Sequence, residues 1–152
     1  MKKMMMFLLV SVFFLVGGIT GSTAQKKGSK ASVGVVTTPK SILAEPGTTV
    51  NITFYVQGLG TDYSLYVIHA TPEGKLEILA VLKPNGSVEY RDTPFKYRLS
   101  VVYRHNFESG VITIFSTRKE DSGTFYVGVQ KDNMFYYSEG TQLTVSSEAG
   151  RN

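Results

Sequence analysis

Residues 120–129 read E-D-S-G-T-F-Y-V-G-V, a turn that leads directly into a β-rich run. Asp121 and Gly123 are residue types that turns favour, and the aromatic and β-branched residues after them favour strands. Alternation along the run places Phe125 and Val127 on one face and Tyr126 on the other. The stretch therefore predicts a strand that follows a tight turn and packs one face against a core.

The chain on either side repeats this pattern of short β-rich runs separated by turn signals. Helical periodicity is hard to find after the first 24 residues, and no run is long enough for a helix crossover. About nine strands in roughly 115 residues predict an all-β sandwich or barrel. The runs are SILA, TVNITFYV, YSLYVIHA, KLEILAVL, SVEYRD, KYRLSVVYR, GVITIFSTR, GTFYVGVQ and GTQLTVSS.

In this order, the pieces resemble an immunoglobulin variable-type (V-set) domain. EPGTTVNITF (45–54) resembles its second strand, TPEGKLEILAVL (71–82) its C–C′ hairpin, and residues 111–127 the approach to its F strand. YYSEGTQLTVSS (136–147) resembles the last strand of a variable domain, which a joining segment encodes. The resemblance covers residues 33–147 and implies an immunoglobulin-like, two-sheet antiparallel Greek-key sandwich.

The chain departs from the family at the usual disulfide. It has no cysteine, and Phe54 and Val127 stand where the family has the two half-cystines. Val67, with Leu65 as the alternative, stands at the position of the core tryptophan. A disulfide closing a loop of about 70 residues would contribute about 4 kcal/mol. We expect an apolar cluster to replace it, made of Phe54, Leu65, Val67, Ile114, Phe125 and Val127.

Further departures concern the E–F turn and the last strand. Phe125 replaces the corner tyrosine, whose hydroxyl bonds to the turn backbone in the family. Ser138 replaces the first glycine of the joining-segment bulge, and Thr117 stands where an apolar residue is usual. The resemblance also implies a structural pair between Arg98 and Asp121.

The N-terminal region is typical of secretory proteins. Two lysines precede an apolar run that is short for a membrane span of about 20 residues, and small residues follow. We therefore expect a signal peptide at 1–24 rather than an uncleaved anchor, then a flexible leader at 25–32, the V-type domain at 33–147 and a tail at 148–152. The mature chain is expected to be secreted, or held at the cell surface through a partner, without membrane insertion after signal cleavage.

The charge balance gives no reason to expect a nucleic-acid partner. The formal charge of +4 includes five lysines before Ala31; from Ala31 onward, 11 basic residues face 12 acidic ones, a net charge of −1. Neither His69 nor His105 lies in a catalytic or metal-binding motif, and His69 reads simply as a polar residue on strand C. We expect no enzyme activity, no cofactor and no metal site.

In a V-type sandwich, the resemblance implies that one sheet surface meets another variable domain. Alternation assigns six residues to that surface, which we call the G-F-C-C′ face. An error of one residue in the register would instead make them ordinary core residues. If they point outward, they form an apolar surface suited to an interface. The six are Ile68, Ala70, Leu76, Ile78, Tyr126 and Tyr137.

The loops at one end of the sandwich offer further contact residues. Aromatic loop side chains suit a paratope-like contact and suit packing against a partner domain equally well. Two N-glycosylation sequons, at Asn51 and Asn85, fit a secreted chain. Asn51 is expected to face solvent on the other sheet, which would leave the G-F-C-C′ face open. The end-loop candidates are Asp62, Tyr63, Met134, Phe135 and Tyr136.

The layout is similar to that of antigen-receptor variable domains and of the variable-only component of a surrogate light chain. If the sequence is complete, the chain has no constant domain and no membrane anchor. It is then expected to be a secreted recognition or pairing subunit whose partner is another V-type immunoglobulin domain, in a hetero- or homodimer, or a cell-surface protein. The alternatives are a homodimerising structural or adhesive module without antigen recognition, and a fragment of a membrane-bound V-type receptor.

Overall fold

The computed structural model describes residues 32–151, so the predicted signal peptide and nearly all of the leader lie outside the described residues. This part of the chain forms eleven strands and two short 3₁₀ helices, His105–Phe107 and Lys119–Asp121. The strands are β1 Gly34–Thr38, β2 Ser41–Ala44, β3 Val50–Gln57, β4 Ser64–Ala70, β5 Leu76–Leu82, β6 Val88–Tyr90, β7 Leu99–Arg104, β8 Ser109–Ile114, β9 Gly123–Lys131, β10 Met134–Tyr137 and β11 Thr141–Val145.

The strands form two sheets. The first has the order β1-β3-β8-β7, and the second β2-β11-β9-β4-β5-β6, with β10 also paired to β9. The predicted all-β, V-type sandwich is confirmed. The pairing is antiparallel except at one edge of the second sheet, where β2 pairs with β11 in parallel. The nine runs expected from the sequence omit β1 and β10, so the structure has eleven strands where about nine were expected.

The break between β10 and β11 explains why Ser138 and Gly140 occupy the joining-type segment. Ser138 is buried; its backbone N–H donates to the Val127 carbonyl (2.9 Å), and its Oγ accepts from the Val127 N–H (3.0 Å). Gly140 has a φ of 91°, and a Cβ there would lie 2.7 Å from the Tyr126 ring. Ser138 maintains hydrogen bonds to the β9 backbone where the pairing of β10 ends and that of β11 has not begun. Gly140 lets the chain pass close to Tyr126.

The core contains all six residues of the apolar cluster expected in place of the disulfide. Phe54 and Val127 are 0% and 1% exposed, and Val67 is the cross-strand neighbour of Val127. The Phe54 ring stacks on Tyr103, with 5.8 Å between ring centroids. A side chain on Gly110 would collide with the Phe54 ring and the backbone of β7, so this glycine makes room for the phenylalanine. Apolar packing therefore fills the centre of the sandwich.

Arg98 and Asp121 form a bidentate ion pair beneath the turn between β8 and β9. Nη1 and Nη2 of Arg98 donate to the two carboxylate oxygens of Asp121 at 2.7 and 2.8 Å. Both residues are buried. The carboxylate also accepts from the Arg118 N–H at 2.8 Å, and Arg98 donates to the Ser116 carbonyl at 3.1 Å. The pair thus joins the start of β7 to both sides of the turn.

The backbone bond that a corner tyrosine would make is supplied by His69 of β4. Its Nε2 lies 3.1 Å from the Asp121 carbonyl oxygen and 3.2 Å from that of Ser122. Because both partners are acceptors, Nε2 carries the proton. The ring is 1% exposed and packs against Phe125 and Phe95, with centroids 4.7 and 5.0 Å away. His69 is therefore a buried corner residue, more than the simple polar strand residue expected from the sequence.

Thr117, which stands in a usually apolar position, also satisfies its hydroxyl. The residue is 2% exposed, and Oγ1 donates to the Glu45 carbonyl at 3.0 Å. The polar substitution thus fastens the end of β2 to the chain after β8.

Folding stability should depend on pH through His69. Burial lowers the pKa of His69 below its ordinary value of 6.5, against smaller opposing effects of the two carbonyl bonds, Glu77 and Asp121. Nδ1 is buried without a hydrogen-bond partner, so an added proton would have no acceptor. The unfolded chain therefore takes up the proton first as pH falls. This contribution to stability is complete above about pH 6.5 and is lost as pH drops from there toward the folded-state pKa.

The test compares urea unfolding at about pH 7.5 and about pH 5.5 for the native chain, His69→Gln and His105→Gln. Between the two pH values, the free energy of unfolding of the native chain should fall by about 1.4 kcal/mol for each pH unit that separates the unfolded-state pKa of His69 from its folded-state pKa. If the folded-state pKa lies below the lower test pH, the fall is counted only down to that pH. His105→Gln keeps the buried imidazole and should show the same loss. An equal loss in His69→Gln would contradict this assignment.

Candidate partner-binding face

The six residues of the G-F-C-C′ face share the outer side of the second sheet. Ile68 on β4 lies opposite Tyr126 on β9 and opposite Ile78 on β5. Leu65, Val67 and His69, at the alternate positions of β4, are buried on the inner side. The register expected from the sequence therefore holds through β4, although β5 has a bulge opposite Val67 and Ile68. Leu79 and Ala80 at that bulge both lie in the core.

Exposure divides the face into a covered and an open part. Leu76 and Ile78 are 56% and 43% exposed, and Ala70 and Tyr137 are half-buried. Ile68 and Tyr126 are 9% and 6% exposed. The expectation that Tyr126 presents itself to a partner is wrong, because the chain at Gly140 lies against its ring. Ile68, flanked by the β5 and β9 side chains, is likewise covered.

An aromatic cluster that sequence reasoning missed extends the open part. Tyr66 lies 5.3 Å from Phe135, which stacks on Tyr137 at 4.6 Å between centroids. The Tyr66 hydroxyl donates to Oε1 of Gln130 at 3.0 Å. A Cβ on Gly128 would lie 2.7 Å from the Phe135 ring, so this glycine lets the rings lie over β9. Alternation continued back from Ile68 along β4 would have included Tyr66.

The outer side of strands β4, β9 and β10 carries no charged side chain. Burial raises the pKa of the Tyr126 and Tyr137 phenols above the ordinary value of 10, so both are neutral at physiological pH. This surface thus offers aromatic rings, aliphatic side chains and uncharged polar groups. The outward positions of β4, β9 and β10 are Ser64, Tyr66, Ile68, Ala70, Thr124, Tyr126, Gly128, Gln130, Phe135 and Tyr137.

The predicted loop around Met134–Tyr136 is wrong, because these residues belong to strand β10. Strands β9 and β10 are joined by Asp132 and Asn133 alone, both with positive φ (52° and 60°). Such a two-residue turn continues the twist of a hairpin, and aspartate and asparagine tolerate the left-handed conformation. Phe135 consequently joins the outer cluster, Tyr136 packs against the core, and Met134 is 44% exposed.

The other end-loop candidates lie between β3 and β4. Asp62 is exposed, but the expectation of a surface role for Tyr63 is wrong, since it is 7% exposed. Its ring stacks on His105 at 6.0 Å and meets the edge of Tyr103 at 6.4 Å. Phe107, two residues after His105, is 71% exposed at this end and was not singled out from the sequence.

The β9–β10 hairpin and the loop before β4 meet at the same end of the domain. Nζ of Lys131 donates to the Gly58 carbonyl at 2.6 Å. The stacking of Tyr63 on His105 brings the turn between β7 and β8 to this end as well. Asp62, Phe107 and Met134 are thus exposed on one end surface.

Two other kinds of site are absent from residues 32–151. No group of three or more histidine, cysteine or acidic side chains there could hold a metal ion. No helix in that range is long and apolar enough to cross a membrane.

A family model for the immunoglobulin V-set domain matches residues 37–146. The chain belongs to the immunoglobulin V-set family. It is 27% identical over 144 residues to the Ig heavy chain V region MOPC 315 of Mus musculus, an alignment that covers 91% of this chain and 98% of the mouse chain. The V-set family is non-enzymatic, and the likeness to an antibody V region supports an immune-type recognition domain. This V-set domain lacks a disulfide and fills its place with Phe54 and Val127.

Proposed function

We propose that this V-set domain is a secreted recognition or pairing subunit that binds another V-type immunoglobulin domain through the G-F-C-C′ face. The observation that carries the proposal is the exposure of Leu76 and Ile78 on β5 next to β4, β9 and β10, whose outward side chains are uncharged and include the cluster of Tyr66, Phe135 and Tyr137. Interface cores are depleted in charge and enriched in aromatic residues, as this surface is. Secretion is supported by the predicted signal peptide and by the family.

The shape of the surface favours a sheet as its partner. Ile68 and Tyr126 are buried by their neighbours, so they support the exposed side chains of the face from below. The face has no charges for a charged ligand to pair with, whereas a second uncharged sheet can bury Leu76 and Ile78. V-set domains commonly pair with other immunoglobulin domains or proteins. The end surface of Asp62, Phe107 and Met134 adjoins the face and supplies the rim.

The proposal predicts that Ile78→Asp weakens pairing at least about tenfold, a change that needs only 1.4 kcal/mol. An aspartate there would bury an unpaired charge in the interface. Val102→Asp is the matched control, because Val102 is similarly exposed (52%, against 43% for Ile78) and lies on the other sheet. Sedimentation velocity of the mature chain should show a dimer that Ile78→Asp converts to monomers and Val102→Asp leaves intact.

A dimer that survives Ile78→Asp would contradict the proposal. If the native chain sediments as a monomer, the same variants are isolated from the cells that secrete it. A V-type partner should then co-purify with the native chain and Val102→Asp and be lost with Ile78→Asp. A monomer whose associations Ile78→Asp does not change would refute the pairing function.

A further inference from the structure

The outer surface of the first sheet carries a second group of exposed apolar side chains. Val36, Tyr55, Val102 and Val111 are between 36% and 56% exposed, and we call them the outer apolar band. One lies on each of the four strands: β1, β3, β7 and β8. The band therefore crosses the whole sheet.

The strand register joins the band through two cross-strand pairs and a diagonal step from Tyr55 on β3 to Val111 on β8. Val36 lies opposite Tyr55, and Val111 lies opposite both Thr53 and Val102. Soluble domains rarely leave a contiguous apolar surface open without a reason. A band on this sheet would compete with the G-F-C-C′ face for apolar partners.

Asn51 and Thr53 lie on β3 beside this band. Outward positions two residues apart on a strand are about 7 Å apart, so Asn51, Thr53 and Tyr55 form a row. Asn51 is exposed, and its Oδ1 accepts from the Thr113 hydroxyl at 2.8 Å. That bond uses the carbonyl oxygen of the amide and leaves Nδ2 for another bond.

We propose that Asn51 carries an N-linked glycan that covers the outer apolar band. The inference rests on the secretion included in the proposed function, because the modification belongs to the secretory route. The sequon Asn51-Ile52-Thr53 supplies the acceptor, and the exposed amide can carry the product without unfolding β3. The bond from Thr113 persists, because an N-glycosylated amide keeps its carbonyl oxygen.

The chemistry needs a lipid-linked oligosaccharyl diphosphate as donor. Nδ2 of Asn51 attacks the anomeric carbon of the first sugar, and a carbon–nitrogen bond replaces the bond from that carbon to the diphosphate oxygen. One amide proton is lost to a base, and the lipid diphosphate leaves. The side chain becomes a secondary amide bonded to the sugar.

Asn85 is a second acceptor and serves as an internal reference. It lies in the turn between β5 and β6, where its Oδ1 accepts from the N–H of Ser87 at 3.0 Å and from its hydroxyl at 2.6 Å. Its Nδ2 is therefore also left for another bond. It belongs to the other sheet, so a glycan there starts away from the band.

Occupancy is tested on the full chain secreted by a eukaryotic cell line, by electrophoresis with and without peptide N-glycosidase F. The native chain should lose two glycan increments on digestion, and Asn51→Gln and Asn85→Gln should each lose one. Thr53→Ser keeps the sequon and should match the native chain, whereas Thr53→Ala should match Asn51→Gln. Because the gel is denaturing, the result does not depend on folding. Equal loss from Asn51→Gln and the native chain would overturn the proposal.

A single experiment separates this inference from the proposed secretion. If the chain reaches the medium but its mobility does not change on digestion, the glycan proposal is contradicted and the proposed secretion is not. A chain retained outside the secretory route contradicts both.

Covering of the band is tested in the Ile78→Asp background, which removes pairing through the G-F-C-C′ face. Adding Asn51→Gln should cause self-association in sedimentation, and adding Val102→Asp to that variant should reverse it. Adding Asn85→Gln to Ile78→Asp should leave a monomer. If the Asn51→Gln chain also stays monomeric, the glycan does not cover the band.

Discussion

Asp121→Ala is expected to lower the free energy of unfolding by about 3–5 kcal/mol, because it leaves the Arg98 guanidinium buried without its carboxylate. The pair is bidentate and both residues are buried. The substitution also removes the acceptor for the Arg118 N–H. Urea or guanidinium unfolding, followed by a spectroscopic signal of the folded sandwich, measures the change.

Glu89→Ala is the matched control for this measurement. Glu89 pairs with Arg91 at 3.1 Å, but both side chains are about half-exposed. Exposed pairs contribute about 0–1 kcal/mol. If Asp121→Ala and Glu89→Ala lower the free energy of unfolding by similar amounts, the Arg98–Asp121 pair does not stabilise the β8–β9 turn as its geometry implies.

Phe54→Ala is expected to cost about 3–5 kcal/mol, the range for truncating a buried phenylalanine. The residue is fully buried, and the backbone around Gly110 fits closely against its ring. The cavity left by the ring has no disulfide to restrain its walls, because the chain has no cysteine. Typical domain stabilities are about 5–15 kcal/mol, so the variant should be only marginally folded at body temperature.

Phe107→Ala removes the same side chain from a site where it is 71% exposed. It should change the free energy of unfolding by no more than about 0.5 kcal/mol. Thermal and denaturant unfolding of the two variants beside the native chain gives the comparison. If Phe54→Ala unfolds at the denaturant concentration of Phe107→Ala, Phe54 does not take over the stabilising position of the missing disulfide.

Much of the fold could be predicted from the sequence because its signals are local. Period-two alternation and turn residues define β3, β4 and β9, and the burial of Phe54, Val67 and Val127 follows from the same alternation. The same alternation gives the register of the G-F-C-C′ face, but a slip of one residue stayed open until the structure placed Leu65 and Val67 in the core.

The rest depended on contacts between segments distant in the chain. Alternation gives the side of the sheet on which Tyr126 lies, but its burial follows from the path of the chain at Gly140. His69 bonds to carbonyls 52 and 53 residues away, and no local pattern marks that bond. The sequence does carry a signal for β10, because Asp132-Asn133 between two β-rich runs suits a two-residue hairpin turn.

The Asp132–Asn133 turn leaves this end of the domain with little to rearrange on binding. Met134–Tyr137 are held by backbone pairing to β9, and Phe135 by stacking on Tyr137. Fixing a mobile side chain on association costs about 0.5–1.5 kcal/mol, and here that ordering is already present in the free domain. The same rigidity narrows the choice of ligand, because a fixed ribbon fits one surface where a long adaptable loop can fit many.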